Sequence, residues 1–88
     1  MSAIADEVLN GNSVHQEAVN TILAIWKNVL SKNDVGPVED FFDLGGNSML
    51  LLSMLEIVQE KFERVVSMDD LSEGVTVERI ATLVTAKA

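Results

Sequence analysis

Cysteine is absent from the 88-residue chain, and histidine occurs once, at His15. The first absence excludes disulfides and thiolate metal sites. The second leaves no cluster of histidines to hold a metal. It also leaves no identifiable partner set for a hydrolytic triad. Basic residues are few: 6 Lys and Arg stand against 14 Asp and Glu, a formal net charge of −8. A surface of that sign repels nucleic acid and anionic membranes. It serves either plain solubility or partners with basic docking patches, whose encounter it speeds. No apolar run approaches the ~20 residues needed to span a bilayer. The N-terminus lacks the basic flank and apolar stretch of a signal peptide. A soluble, cytoplasmic protein is the expectation.

What is present is material for one small core. Hydrophobic residues make up 48% of the chain, enough for a single domain with little to spare. Residues 1–12 are expected to form a flexible lead, with Asn10-Gly11-Asn12 as a turn signal. Residues 13–88 are expected to form the domain. Ser13 and Gln16 have capping-box spacing. Ala18, Val19, Ile22, Leu23, Ile25, Trp26, Val29 and Leu30 then recur at helical spacing, which predicts a helix from Val14 to Leu30. Trp26 reads as a packing residue. His15 reads as a solvated residue of the first turn.

Lys32-Asn33-Asp34 should stop that helix, and Gly36-Pro37 marks a turn. The connection from Ser31 to Asn47 is long for so small a domain. It needs anchors, and Val38, Phe41, Phe42 and Leu44 can pack inward to supply them. A second helix is predicted from Ser48 to Phe62. Its inner face is Leu51, Met54, Leu55, Val58 and Phe62, with Leu55, Val58 and Phe62 set against Ile22, Trp26 and Ile80. Met49 and Leu52 point outward beside Ser48. They either cover the aromatic loop or form a partner surface.

Glu63-Arg64 ends the second helix, and Val65 and Val66 should tuck inward. Ser67 caps a one-turn helix over 67–71 whose early acids suit the helix dipole. Gly74 breaks it, and Thr76 caps a last helix over Thr76 to Ala86. That helix turns Val77, Ile80, Ala81, Leu83 and Val84 inward, with Lys87 near its C-terminus. The expected fold is all-α: a four-helix bundle with a long first connection and a short third helix.

The chemistry gathers at Asp43-Leu44-Gly45-Gly46-Asn47-Ser48-Met49-Leu50. Two adjacent glycines make a tight, backbone-exposed turn. Asn47 and Ser48 are both good N-cap residues, so the helix starts at one of them. Ser48 is then approachable at a loop–helix junction. From spacing alone it is an ordinary N-cap serine. A phosphate-binding glycine loop would need spaced glycines and a lysine, and neither is present.

The longer stretch Glu39-Asp40-Phe41-Phe42-Asp43-Leu44-Gly45-Gly46-Asn47-Ser48-Met49-Leu50 resembles the attachment motif of acyl and peptidyl carrier proteins. The similarity extends from about His15 to Val84. It implies that Ser48 is esterified to 4′-phosphopantetheine, whose thiol carries acyl, aminoacyl or peptidyl intermediates between biosynthetic enzymes. Without cysteine, any thioester chemistry of this chain must use such an added group. In that family the second aromatic and the leucine of the loop are usually buried. Leu-Gly-Gly-Asn-Ser resembles carriers of polyketide and nonribosomal peptide synthesis more than those of fatty-acid synthesis. Glu39, Asn47, Ser72 and Val75 depart from the commonest residues of the family.

The resemblance also implies a non-catalytic monomer that is a substrate of phosphopantetheinyl transferase. Its further partners would be an acyl- or aminoacyl-loading enzyme and downstream synthase or tailoring enzymes, with no nucleic acid and no membrane. Asp43, Asn47, Met49, Leu52 and Glu56 are the expected docking residues around Ser48. The rival reading is an unmodified helical docking domain that binds through the second helix.

Overall fold

The computed structural model describes the backbone of residues 2–86 and the side chains of residues 14–86. Among the described residues there are three α-helices and one short 3-10 turn, and no strand. Helix α1 spans Ser2–Leu30, α2 spans Ser48–Phe62 and α3 spans Val77–Thr85. The 3-10 turn, Asp69–Leu71, lies between α2 and α3.

Helix α1 starts at Ser2 rather than Val14, so the turn expected at Asn10-Gly11-Asn12 is not formed. Asn and Gly each cost a helix interior about 0.7–1 kcal/mol relative to alanine. Helix already formed on the C-terminal side propagates through them, since extension costs far less than nucleation. Ser13 is therefore an interior residue and not an N-cap. Gln16, expected to complete a capping box, instead donates its Nε2 to Asn20 Oδ1 at 3.0 Å, one turn on. Helix α1 ends at Leu30 because Ser31 turns left-handed, at φ 55°. Ser31 N–H then donates to the Asn28 carbonyl and Lys32 N–H to the Lys27 carbonyl. This is the paired closure of a Schellman motif, made here without glycine. Helix α2 closes in a simpler way: left-handed Glu63 donates its N–H to the Gln59 carbonyl at 2.7 Å.

The core is built from one stripe of each helix. Ala18, Val19, Ile22, Ile25 and Trp26 of α1 meet Leu51, Met54, Leu55 and Val58 of α2 and Val77, Ile80, Ala81 and Val84 of α3. Each of the Val, Ile, Leu and Met side chains among them contributes about 1.5–3 kcal/mol on burial. Phe62 lies half-buried at the edge of the cluster and not within it. It is the last residue before the left-handed cap, where the chain leaves the core. Trp26 and Phe41 are the largest side chains fully enclosed. Their rings meet edge to face, with centroids 4.9 Å apart.

His15 is not simply solvated. Its Nε2 lies 3.0 Å from Glu78 Oε1, which ties α1 to the first turn of α3. In the stretch after α2, Val66 is buried, but Val65 is 74% exposed, against expectation. Adjacent residues of an extended segment face opposite ways, so only one of the pair can enter the core. Ser67 and Asp70 close the 3-10 turn reciprocally. Ser67 N–H and Oγ both donate to Asp70 Oδ2 at 3.1 Å, and Asp70 N–H reaches back to Ser67 Oγ. Thr76 caps α3, its Oγ1 accepting from Arg79 N–H at 3.1 Å. Lys87 lies outside the described residues.

Candidate functional site

No helix or strand interrupts the connection between Leu30 and Ser48. It is held by turns and by one aromatic plug. Phe41 is the buried aromatic, and Phe42 is 46% exposed. The expectation that the second aromatic would be the buried one is thereby corrected, and Val38, expected to anchor the loop, is exposed as well. The tether follows from the backbone. Phe41 N–H donates to the Val75 carbonyl at 2.8 Å, which points the Phe41 side chain at Trp26. Leu44 is partly buried against the core.

The two glycines have different tasks. Gly45 sits at φ 99°, in the left-handed region that favours glycine, and nothing lies within 4 Å of where its Cβ would be. Gly46 faces the interior. A Cβ there would stand 2.4 Å from two carbons of the Phe41 ring and 2.8 Å from the Phe41 carbonyl oxygen. That carbonyl accepts from Gly46 N–H at 3.0 Å and from Leu44 N–H at 3.2 Å. Gly45 thus leaves open space on the outer side of the turn, whereas Gly46 lets the turn close on Phe41.

Asn47, and not Ser48, caps α2. Its backbone is extended, and its Oδ1 accepts from Leu50 N–H at 2.9 Å. Ser48 is the first helical residue and is exposed. No acidic residue lies in the first turn of α2, so the positive end of the helix dipole faces outward beside the Ser48 hydroxyl. Free N–H groups at such an end favour an anion. The exposed hydroxyl, the open space at Gly45 and the anion-favouring helix end together fit a phosphodiester on serine.

Outward from Ser48 runs an apolar strip. Met49 is 78% exposed and Leu52 54% exposed. Glu56 follows one turn later, also exposed, and Asp43 is exposed in the preceding loop. Positions 49, 52 and 56 share one side of α2. The exposed Phe42 and Met68 were not anticipated from the sequence. Asp40 was also missed, although it bonds both to its own loop and to Val75. Its only sequence signal is an acid directly before the paired aromatics.

Comparisons with known proteins identify the family. Residues 20–84 match the family model described as the phosphopantetheine attachment site. Chondramide synthase cmdD of Chondromyces crocatus is 34% identical over 64 residues, which cover 73% of this chain and 2% of that protein. Surfactin synthase subunit 1 of Bacillus subtilis is 37% identical over 60 residues, covering 68% of this chain and 2% of that protein. The chain thus spans about a fiftieth of the length of these relatives. Among solved structures, BlmI matches with a TM-score of 0.73 and 33% identity, over 80% of this chain and 84% of that one. It is a type-II acyl carrier protein from Streptomyces verticillus involved in bleomycin biosynthesis. The chain belongs to the phosphopantetheine-attachment family: it is a carrier domain and not itself catalytic.

Proposed function

We propose that Ser48 is the residue that bears 4′-phosphopantetheine. The observation that carries this reading is the exposed Ser48 hydroxyl at the N-terminus of α2, directly after the Gly45-Gly46 turn and relieved of capping by Asn47. When bound, the group supplies the thiol that this cysteine-free chain lacks. The chain's own residues hold and orient. Asn47 closes the helix, Gly45 keeps the approach open, and Phe41 fixes the turn from below.

The cargo we assign is an acyl, aminoacyl or peptidyl group, passed between a loading enzyme and downstream synthase or tailoring enzymes. A tethered cargo gains effective concentration at each partner in turn. Partner recognition falls to Asp43, Asn47, Met49, Leu52 and Glu56, with apolar contact at the strip and charge at its margins. We take residues 13–88 as the carrier unit and the monomer as its working form. The fold is the four-helix carrier type, with the 3-10 turn standing in for the short third helix. Coenzyme A, the donor of the group, is an intracellular metabolite, which favours the cytoplasm. The unmodified docking domain is the weaker reading, because the family match rests on an attachment site.

Intact-protein mass spectrometry after incubation with a phosphopantetheinyl transferase and coenzyme A tests the assignment. Wild type should gain one phosphopantetheine, and Ser48→Ala should gain none while staying folded. Uptake that persists in Ser48→Ala, at Ser53 or Ser67 for example, would overturn it.

A further inference from the structure

One carboxylate fastens the loop before Ser48 to the segment that enters α3. Asp40 is half-buried. Its Oδ1 accepts from Phe42 N–H at 2.9 Å, within the loop. Its Oδ2 accepts from Val75 N–H at 3.1 Å, 35 residues away. Phe41 N–H, next in the chain, donates to the Val75 carbonyl at 2.8 Å. Both backbone polar groups of Val75, itself buried, are therefore taken by the Asp40-Phe41 pair.

The fastening leads to the serine in short steps. Phe41 accepts Gly46 N–H on its carbonyl and lies with its ring against Gly46. Asn47 follows and caps α2, and Ser48 is next. A shift of Asp40 would move Phe41, and Phe41 is in contact with the turn that sets the Ser48 hydroxyl.

The pattern asks for a carboxylate in particular. An ionised carboxylate offers two acceptor oxygens and no donor. An asparagine of the same shape has one oxygen and one NH₂ group, so one of the two N–H donors at Asp40 would meet another donor. We infer that Asp40 is a positioning residue for modification of Ser48: by accepting from Phe42 and Val75 at once, it fixes the turn that presents the hydroxyl. This rests on the assignment of Ser48 as the attachment residue. In that reaction the Ser48 oxygen bonds to the phosphorus of the phosphopantetheine phosphate. The pyrophosphate P–O bond of coenzyme A breaks, 3′,5′-ADP leaves, and the hydroxyl proton passes to a base of the transferase.

The experiment uses the full chain with a phosphopantetheinyl transferase and coenzyme A. It compares wild type, Asp40→Asn and Asp40→Glu. Modification kinetics are read beside native-state amide exchange at Val75 and melting temperature. Misplacement of a reacting group can cost ten- to a hundred-fold. In Asp40→Asn, kcat should accordingly fall by about tenfold or more, with Val75 N–H exchanging faster. KM for the carrier should stay near wild type, since Met49, Leu52 and Glu56 are untouched. Asp40→Glu keeps two acceptor oxygens and should recover both readouts in part. It also decides the matter if Asp40→Asn fails to fold.

Wild-type kcat in a variant whose Val75 N–H has lost protection would overturn the proposal. A raised KM with unchanged kcat would do so too, because that marks a smaller folded fraction. If wild type itself takes up no group, the Ser48 assignment falls, and this proposal falls with it. If wild type and both variants are modified alike, only the role of Asp40 falls.

Discussion

The Phe41 ring lies beneath Gly46 so closely that a single methyl group at position 46 would overlap it, two ring carbons standing 2.4 Å from the site of a Cβ. The turn before Ser48 is therefore shaped by contact from below as much as by backbone freedom. Gly46→Ala should displace Phe41 from its edge-to-face contact with Trp26. A forced methyl in a packed interior typically costs about 1–3 kcal/mol, and the backbone oxygen nearby puts this one at the upper end. Gly45→Ala meets no atom and pays only for its left-handed backbone, about 1–2 kcal/mol. Thermal melts should show the larger loss for Gly46→Ala. The reverse order would show that Phe41 yields.

Capping and exposure separate two neighbours in the same way. Asn47→Ala removes the acceptor for Leu50 N–H and should cost about 1 kcal/mol. Ser48→Ala removes an exposed hydroxyl that caps nothing and should stay within about 0.5 kcal/mol of wild type. Urea unfolding of both variants checks this. A larger loss for Ser48→Ala would mean that Ser48 carries structural weight.

In the core, Trp26→Ala should cost about 3–5 kcal/mol, as for other buried aromatics. That is a large part of a small domain's stability. Phe62→Ala should cost clearly less, because Phe62 is only half-buried at the end of α2. Equal losses would place Phe62 deeper than its position beside the cap allows.

The strip beyond Ser48 gives a kinetic prediction. Leu52→Asp should slow phosphopantetheinyl transfer while leaving the circular dichroism spectrum unchanged, since the Leu52 side chain is largely exposed. Glu56→Lys should act on association rate, with an effect that shrinks as salt screens the charges. Rates for both variants at low and high ionic strength provide the check. Unfolding of Leu52→Asp, or wild-type rates for both variants in every condition, would remove α2 as the docking surface.

Much of this was legible in the sequence. Helix α2 was predicted with its observed limits, Ser48 to Phe62. Leu51, Met54, Leu55 and Val58 were assigned inward and are buried. Helical periodicity carries that information, because a buried stripe must recur with the turn of the helix. Where no period exists, the reading failed. Phe41 and Phe42 are equally apolar neighbours, and a bond to Val75 decides which one enters the core. Val65 and Val66 pose the same problem and resolve it in opposite directions. Asp40 with Val75, and His15 with Glu78, pair across 35 and 63 residues, distances at which no local pattern speaks. The start of α1 was missed because a turn signal states a preference of only about 1 kcal/mol per residue, and a running helix can override it.

The division of work between Asn47 and Ser48 has a consequence for turnover. The hydrogen bond that closes the start of α2 belongs to one residue, and the exposed hydroxyl, the attachment point proposed above, belongs to the next. Esterifying that hydroxyl, or freeing it again, takes no bond from the helix. With the group in place on Ser48 as proposed, cargo would be exchanged at its thiol, away from the helix, and the scaffold would not need to open. On that reading only the burden at its tip changes, and the face proposed for docking would be the same whether the domain is full or spent.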